Sequence, residues 1–252
     1  MLPFIAASAF DQLIFHFQYY GYFFVVLATV FAMIASAGVS STFKRYSAFP
    51  TRRGLTGAAA AERVLRQGGV TDVRIARTTG RLTDHFNPKD RTVYLSDAVY
   101  DSTSCAAIGV AAHEAGHALQ HAEGYVPIRI RSALVPVTNF GSRLAMPLIL
   151  IGLLLGFYAE SAVGFQLSMF GVIAFSLCVI FQLVTLPVEF NASRRAVVAL
   201  EEGGLLDEEE LVGAKKTLRA AAMTYVASLA VSLTQFLRLL AVVLGSRGRR
   251  RQ

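Results

Sequence analysis

Charge is scarce in this sequence. Only 16% of its 252 residues are Asp, Glu, Lys or Arg, against about 25% in an ordinary soluble domain. With 54% of residues apolar, too little polar surface remains to cover a water-exposed exterior. The apolar residues also gather in blocks long enough to span a bilayer, which identifies a membrane protein. Cysteine is nearly missing. Cys105 precedes a His-Glu motif and Cys178 lies inside an apolar run, which excludes a disulfide framework and any Cys-x-x-Cys metal site. Both read as small buried hydrophobes. Histidine occurs only five times, and no repeat or low-complexity segment stands out.

The first apolar block runs from about Tyr19 to Val39 without a charge, about the 20 residues a helix needs to cross the hydrocarbon core. No basic region precedes it, and Asp11 is the only earlier charge, so it reads as an anchor rather than a cleaved signal. Tyr19, Tyr20 and Tyr22 suit the interfacial aromatic belt, and Lys44, Arg45, Arg52 and Arg53 place the far end in the cytoplasm. The net charge of +7 is thus read as topological and lipid-facing. Basic residues flank apolar segments or scatter, with no aromatic-interleaved stripe, so no nucleic-acid partner is expected.

From there to Gly124 the chain reads as soluble and mixed. Thr56 to Gln67 has helical spacing and stops at Gly68-Gly69. Asp72 to Ile75 and Thr92 to Leu95 read as short strands. The stretch from Gly80 to Pro88 between them is rich in turn formers, and Ser104 to His121 reads as an Ala-rich helix. Lipid returns with Pro147 to Ala159 and Val163 to Pro187, a hairpin broken at Glu160 and Ser161 whose first arm begins near Leu134. Pro136 and Pro147 blur that boundary. Val188 to Leu218 is charged and helical in pattern, interrupted at Gly203-Gly204 and at an acidic turn from Asp207 to Glu210. The last block, Ala220 to Leu244, contains Gln235 and Arg238 and is a poorer span. Four spans would put Arg247, Arg249, Arg250 and Arg251 outside, against the positive-inside tendency, so three spans are firm and the fourth is open.

The chemistry lies in Ala-Ala-His-Glu-Ala-Gly-His-Ala-Leu-Gln. Residues four apart on a helix are offset by about 40°, so His113 and His117 share a face and can share a metal ion. Imidazole nitrogens suit zinc. Glu114, turned about 100° from His113, stands where a general base would take a proton from a metal-activated water. A catalytic zinc needs a third protein ligand. His121 follows His117 by four residues, but on one straight helix it lies about 12 Å along the axis from His113 and cannot help surround the ion; it reads as a supporting or interfacial residue. Glu189, in Leu-Pro-Val-Glu-Phe-Asn-Ala-Ser-Arg-Arg-Ala at the end of the third apolar block, can reach the motif helix. Spacing alone leaves it open between ligand and an interfacial partner of Arg194 or Arg195.

These two stretches, with Leu-Thr-Asp-His-Phe-Asn-Pro, Val-Tyr-Leu-Ser and the apolar spans at both ends, resemble the YugP-type bacterial membrane zinc metallopeptidases over nearly the whole chain. The resemblance implies one zinc per chain held by His113, His117 and Glu189, with Glu114 as general base. The Glu-Phe-Asn-Ala-Ser stretch is more distantly similar to membrane proteases related to HtpX and the CAAX prenyl protease. In those an Asp four residues after the ligand Glu supports the first His. Here that position is Ser193, leaving Asn191 or Ser193 as substitutes. His85, with Asp84, is a candidate to reach the cleft and bind substrate or a developing oxyanion, although a plain turn histidine fits the same sequence. Gly116 reads as steric, and Gln120 as a hydrogen-bond donor to nearby backbone.

The expected architecture is mostly α and integral to the membrane: a helical transmembrane bundle with a small α+β zinc-peptidase element at its surface. The expected segments are an N-terminal anchor (1–43), a cytoplasmic zinc-binding element (44–130), a transmembrane hairpin (131–188), a third-ligand helix with a cytoplasmic segment (189–219), and an apolar segment with a basic tail (220–252). The expected activity is zinc-dependent hydrolysis of peptides or membrane proteins at the cytoplasmic face of the bacterial inner membrane. The rival is a non-catalytic assembly or scaffold protein with a structural zinc. A di-iron membrane oxygenase fails on its histidine count. Oligomeric state is not encoded legibly.

Overall fold

The computed structural model describes residues 9–80, 82–158 and 162–248. The Glu160–Ser161 break, Arg81 within the turn-rich stretch, and the tail arginines Arg249, Arg250 and Arg251 lie outside them, as do the side chains of Asp11 and Arg247. The elements in chain order are α1 (Ala9–Ser47), α2 (Gly57–Gln67), β1 (Arg74–Thr78), β2 (His85–Asn87), β3 (Thr92–Ser96), α3 (Asp97–Tyr100), α4 (Cys105–Ala122), α5 (Val126–Tyr158), α6 (Ala162–Glu202) and α7 (Glu208–Gly248). The protein is mostly α, with one small sheet. Four of the described helices are long and apolar enough to cross a bilayer: α1, α5, α6 and α7.

The described residues form two compact units. The first takes its residues from 1–33, 133–183 and 227–252. Its helices meet through small side chains, as membrane helices do when backbones must approach closely. A Cβ on Gly171 of α6 would sit 2.7 Å from the Ala145 carbonyl of α5, and one on Gly141 of α5 would sit 2.7 Å from Leu177. Arg238 of α7 lies over the Tyr22 ring of α1, 3.8 Å from its centroid, and Gly21 gives its side chain room. That contact and a hydrogen bond from Nη1 to Gln235 partner part of the cation whose presence made this span look poor, while its Nε is buried without a partner.

The second unit, residues 34–132 and 184–226, carries the chemistry. Its sheet has the order β1-β3-β2, with β1 parallel and β2 antiparallel to β3. Thr56 and Ser104 cap α2 and α4 by accepting from Ala59 and Ala107 N–H, which satisfies otherwise orphaned amides. Ala60, Ala61 and Val64 of α2, Val93 and Leu95 of β3, and Ala107, Ala111 and Ala115 of α4 share one core. Just past the end of α4 stands Gly124, whose φ of +67° a side chain would strain, while Tyr125 N–H returns to the Gln120 carbonyl.

Three sequence expectations shift. β2 forms within a stretch expected to be turn: pairing of His85, Phe86 and Asn87 with β3 makes three residues a strand. α5 starts at Val126, not near Leu134, and runs unbroken past Pro136 and Pro147. Proline is tolerated where neighbouring helices support the local backbone. The charged and apolar stretches on either side of Ala220 are one helix, α7.

Candidate metal centre

α4 presents the motif from inside the core. His113 and His117 rings stand edge to face with centroids 4.7 Å apart, the result of their four-residue spacing. α6 approaches closely because Gly116 has no side chain: a Cβ there would sit 2.7 Å from the Ala192 carbonyl. This approach delivers Glu189, only 2% exposed, to both imidazoles. Its Oε2 lies 3.2 Å from His113 Nε2 and 3.5 Å from His117 Nε2. One donor atom from each of the three residues falls within 4.8 Å of the others. Ligands about 2.0–2.1 Å from a tetrahedral zinc stand about 3.3–3.4 Å from one another, so the chemistry and spacing of this donor set fit the ion. Arg131 of α5, 3.3 Å from the other Glu189 oxygen, balances the buried carboxylate.

The imidazoles are oriented from behind. Gln120 donates through Nε2 to the Val188 carbonyl and to Asn191 Oδ1, so its Oε1 faces His117 and accepts from Nδ1 at 3.0 Å. Ser193 Oγ meets His113 Nδ1 at 3.1 Å. Each contact occupies Nδ1 and directs Nε2 to Glu189, the arrangement that supporting hydrogen bonds give metal-binding histidines. Of the two suggested substitutes, Ser193 touches an imidazole directly, while Asn191 acts through Gln120. Burial works against a charged His117, but its hydrogen bond to Glu189 and the nearby Glu114 charge outweigh this and raise its pKa above the ordinary 6.5.

Glu114 is nearly buried and does not join the donor group. Its Oε2 accepts from Phe86 N–H of β2 at 3.1 Å. The loop before β2 is anchored by Asp84, which accepts from Ser96 N–H and Oγ; burial raises the Asp84 pKa. His113, Glu114, Ser193 and Asp84 open onto a cleft of about 320 Å³, whose other lining includes Tyr225.

The histidines outside the motif take other places. His85 is exposed, stacked on Tyr94 with centroids 5.0 Å apart, and bonded to the Thr83 carbonyl. It is not among the residues lining the cleft, and the group of β2 that reaches Glu114 is the next residue's N–H. His121 borders a separate cavity with Arg91 and Asp72 and packs edge-on to Phe86. Burial, with Arg91 and Arg129 nearby, lowers its pKa. Two residues were missed by sequence reasoning. Arg131 could have been flagged as an ionisable side chain near the start of an apolar helix. Tyr225, which interacts with Glu189, carries no sequence signal within its apolar block.

A family model described as "Putative neutral zinc metallopeptidase" matches residues 21–244. The sequence is 43% identical over 225 residues, 89% of this chain and 97% of the relative, to the "Putative membrane protease YugP" of Bacillus subtilis (strain 168). No solved structure matches it.

Proposed function

The chain belongs to this family of neutral zinc metallopeptidases, and from that premise we propose that it is a membrane-embedded endopeptidase with His113, His117 and Glu189 as ligands of one zinc per chain. The arrangement is gluzincin-like, with two histidines from one helix and a glutamate from another. The observation that carries it is the spacing of the three donors, His117 and Glu189 buried and His113 partly so, with Glu114 beside them on an open cleft. Three protein donors among the described residues suit a catalytic zinc, which keeps one position open, whereas a structural site closes with four. This favours the peptidase over a scaffold with a structural metal.

Bound zinc supplies Lewis-acid polarisation of the scissile carbonyl and of water. Glu114 takes the proton from that water and delivers it to the leaving amine. The Phe86 N–H fixes one carboxylate oxygen and leaves the other for this transfer. Lys44 and Arg45 in the last turn of α1, with Arg129 and Arg131 near the start of α5, support a site on the cytoplasmic side of the bacterial inner membrane.

The test is hydrolysis of a fluorogenic peptide library by the detergent-purified protein. Glu114→Gln should lower the rate by about 10²–10⁴-fold while keeping its metal. A variant as active as wild type would remove Glu114 from the mechanism.

A further inference from the structure

The cleft's lining is of two kinds. His113, Glu114, Ser193, Tyr225 and Asp84 are polar. Other walls come from Ser36, Val39 and Ser40 of α1 and from Leu218, Ala221 and Ala222 of α7. Each trio follows the three- and four-residue stride that places it on one helix face. Both faces belong to helices long and apolar enough to span a bilayer. Lys44 is the first basic residue along α1. Ser40 lies about 6 Å and Ser36 about 12 Å before it along the axis, so this wall leads from the charged end of α1 into its apolar run. Neither trio contains an ionisable side chain. The cleft's ionisable groups, Asp84, His113, Glu114 and Tyr225, stand outside both trios, so a charged substrate residue against these walls would lose water without gaining a partner from them, whereas Ser36, Ser40, Ala221 and Ala222 are small enough for another backbone to approach closely.

We infer that this part of the cleft receives an uncharged, apolar stretch of a membrane-anchored substrate, so that cleavage falls at the membrane end of the substrate's own span. The inference rests on the peptidase reading and adds its substrate class. The uncharged faces of α1 and α7 admit the chain, and the polar residues at the metal centre hold the scissile bond.

The test uses the full-length protein in liposomes, carrying Glu114→Gln and a photo-crosslinking benzoylphenylalanine in place of Ser40. The probe is a single-span model protein with a Leu/Ala stretch at the cytoplasmic end of its span. Two controls share its sequence: one lacks the span, and the other carries two Asp residues in the stretch. Crosslinking to the anchored Leu/Ala probe should exceed both controls by at least about tenfold, a difference of about 1.4 kcal/mol. Equal crosslinking to either control, or none to the probe, would overturn the inference. With Glu114 intact, Ala221→Trp should slow cleavage of the anchored probe by a similar factor while zinc is retained; unchanged cleavage would also count against it. Selective crosslinking without cleavage by the wild type would sink the peptidase reading and leave a binding groove. Cleavage without selective crosslinking would do the reverse.

Discussion

The two ends of α6 are held by different physics. Around Gly164 and Gly171 the helix meets α5 through close backbone contacts, and polar side chains contribute little besides Ser168, which bonds to the Gly164 and Ile149 carbonyls. From Val188 to Arg195 it adds to the close Ala192–Gly116 approach a set of polar contacts with α4 and its C-cap: Glu189 to both imidazoles, Asn191 to Gln120, Ser193 to His113, and Arg195 to Glu123. Small-residue contacts set how closely helices can lie but are tolerant of chemistry. A hydrogen-bonded network fixes donor positions but is costly when one member is left unpaired. One helix uses both: Ala192 against Gly116 sets the approach, and the polar residues on either side use it to place donor atoms beside the two imidazoles.

Substitutions at the two ends should therefore fail differently. At the polar end, Gly116→Val should have the largest effect. By driving Ala192 away it separates Glu189 from the histidines, and zinc affinity measured by chelator competition should fall by more than about 100-fold, beyond the loss of a supporting residue. Gln120→Ala or Ser193→Ala should cost about 10–100-fold in the same assay. At the other end, Gly171→Val should lower unfolding stability by about 1–3 kcal/mol through overpacking, with zinc affinity of the folded fraction unchanged. If Gly171→Val released zinc as Gly116→Val does, the division along α6 would be lost.

Acid should act only at the polar end. The metal-free His117 holds its proton to a higher pH than the ordinary 6.5, so protons compete with zinc from above that value. Apparent zinc affinity should already be falling as pH drops toward 6.5, and a profile flat down to 6.5 would contradict the assigned environment of His117. The smallest effect is expected at His85. Its ring is exposed and stacked on Tyr94, so His85→Ala should leave zinc affinity and hydrolysis within about twofold, as for surface changes of about 0.5 kcal/mol.

Sequence reading succeeded where the signal was local. The spacing of His113 and His117 on one helix, the helical stretches starting at Thr56 and Ser104 and the strand beginning at Thr92 each depend on residues within a few positions. Glu189 was conspicuous as an acid at the end of an apolar block, but its spacing left it open, and the family resemblance singled it out as a ligand. The rest required tertiary contacts. β2 exists because β3 pairs with it, and no propensity marks His85 to Asn87 as a strand. The group it brings to Glu114 is the backbone N–H of Phe86, not the imidazole beside it. Tyr225 faces Glu189 because of how α7 is rotated, which its mostly apolar neighbours do not reveal. α7 itself was divided at Ala220 because composition changes there, although its backbone hydrogen bonding continues.

The most direct test is the metal content of the detergent-purified protein beside Glu189→Ala and His121→Ala. One zinc per chain in the wild type, lost with Glu189→Ala and retained in His121→Ala, is the predicted result. Zinc retained at full affinity without the Glu189 carboxylate would contradict the three-ligand centre on which the account depends.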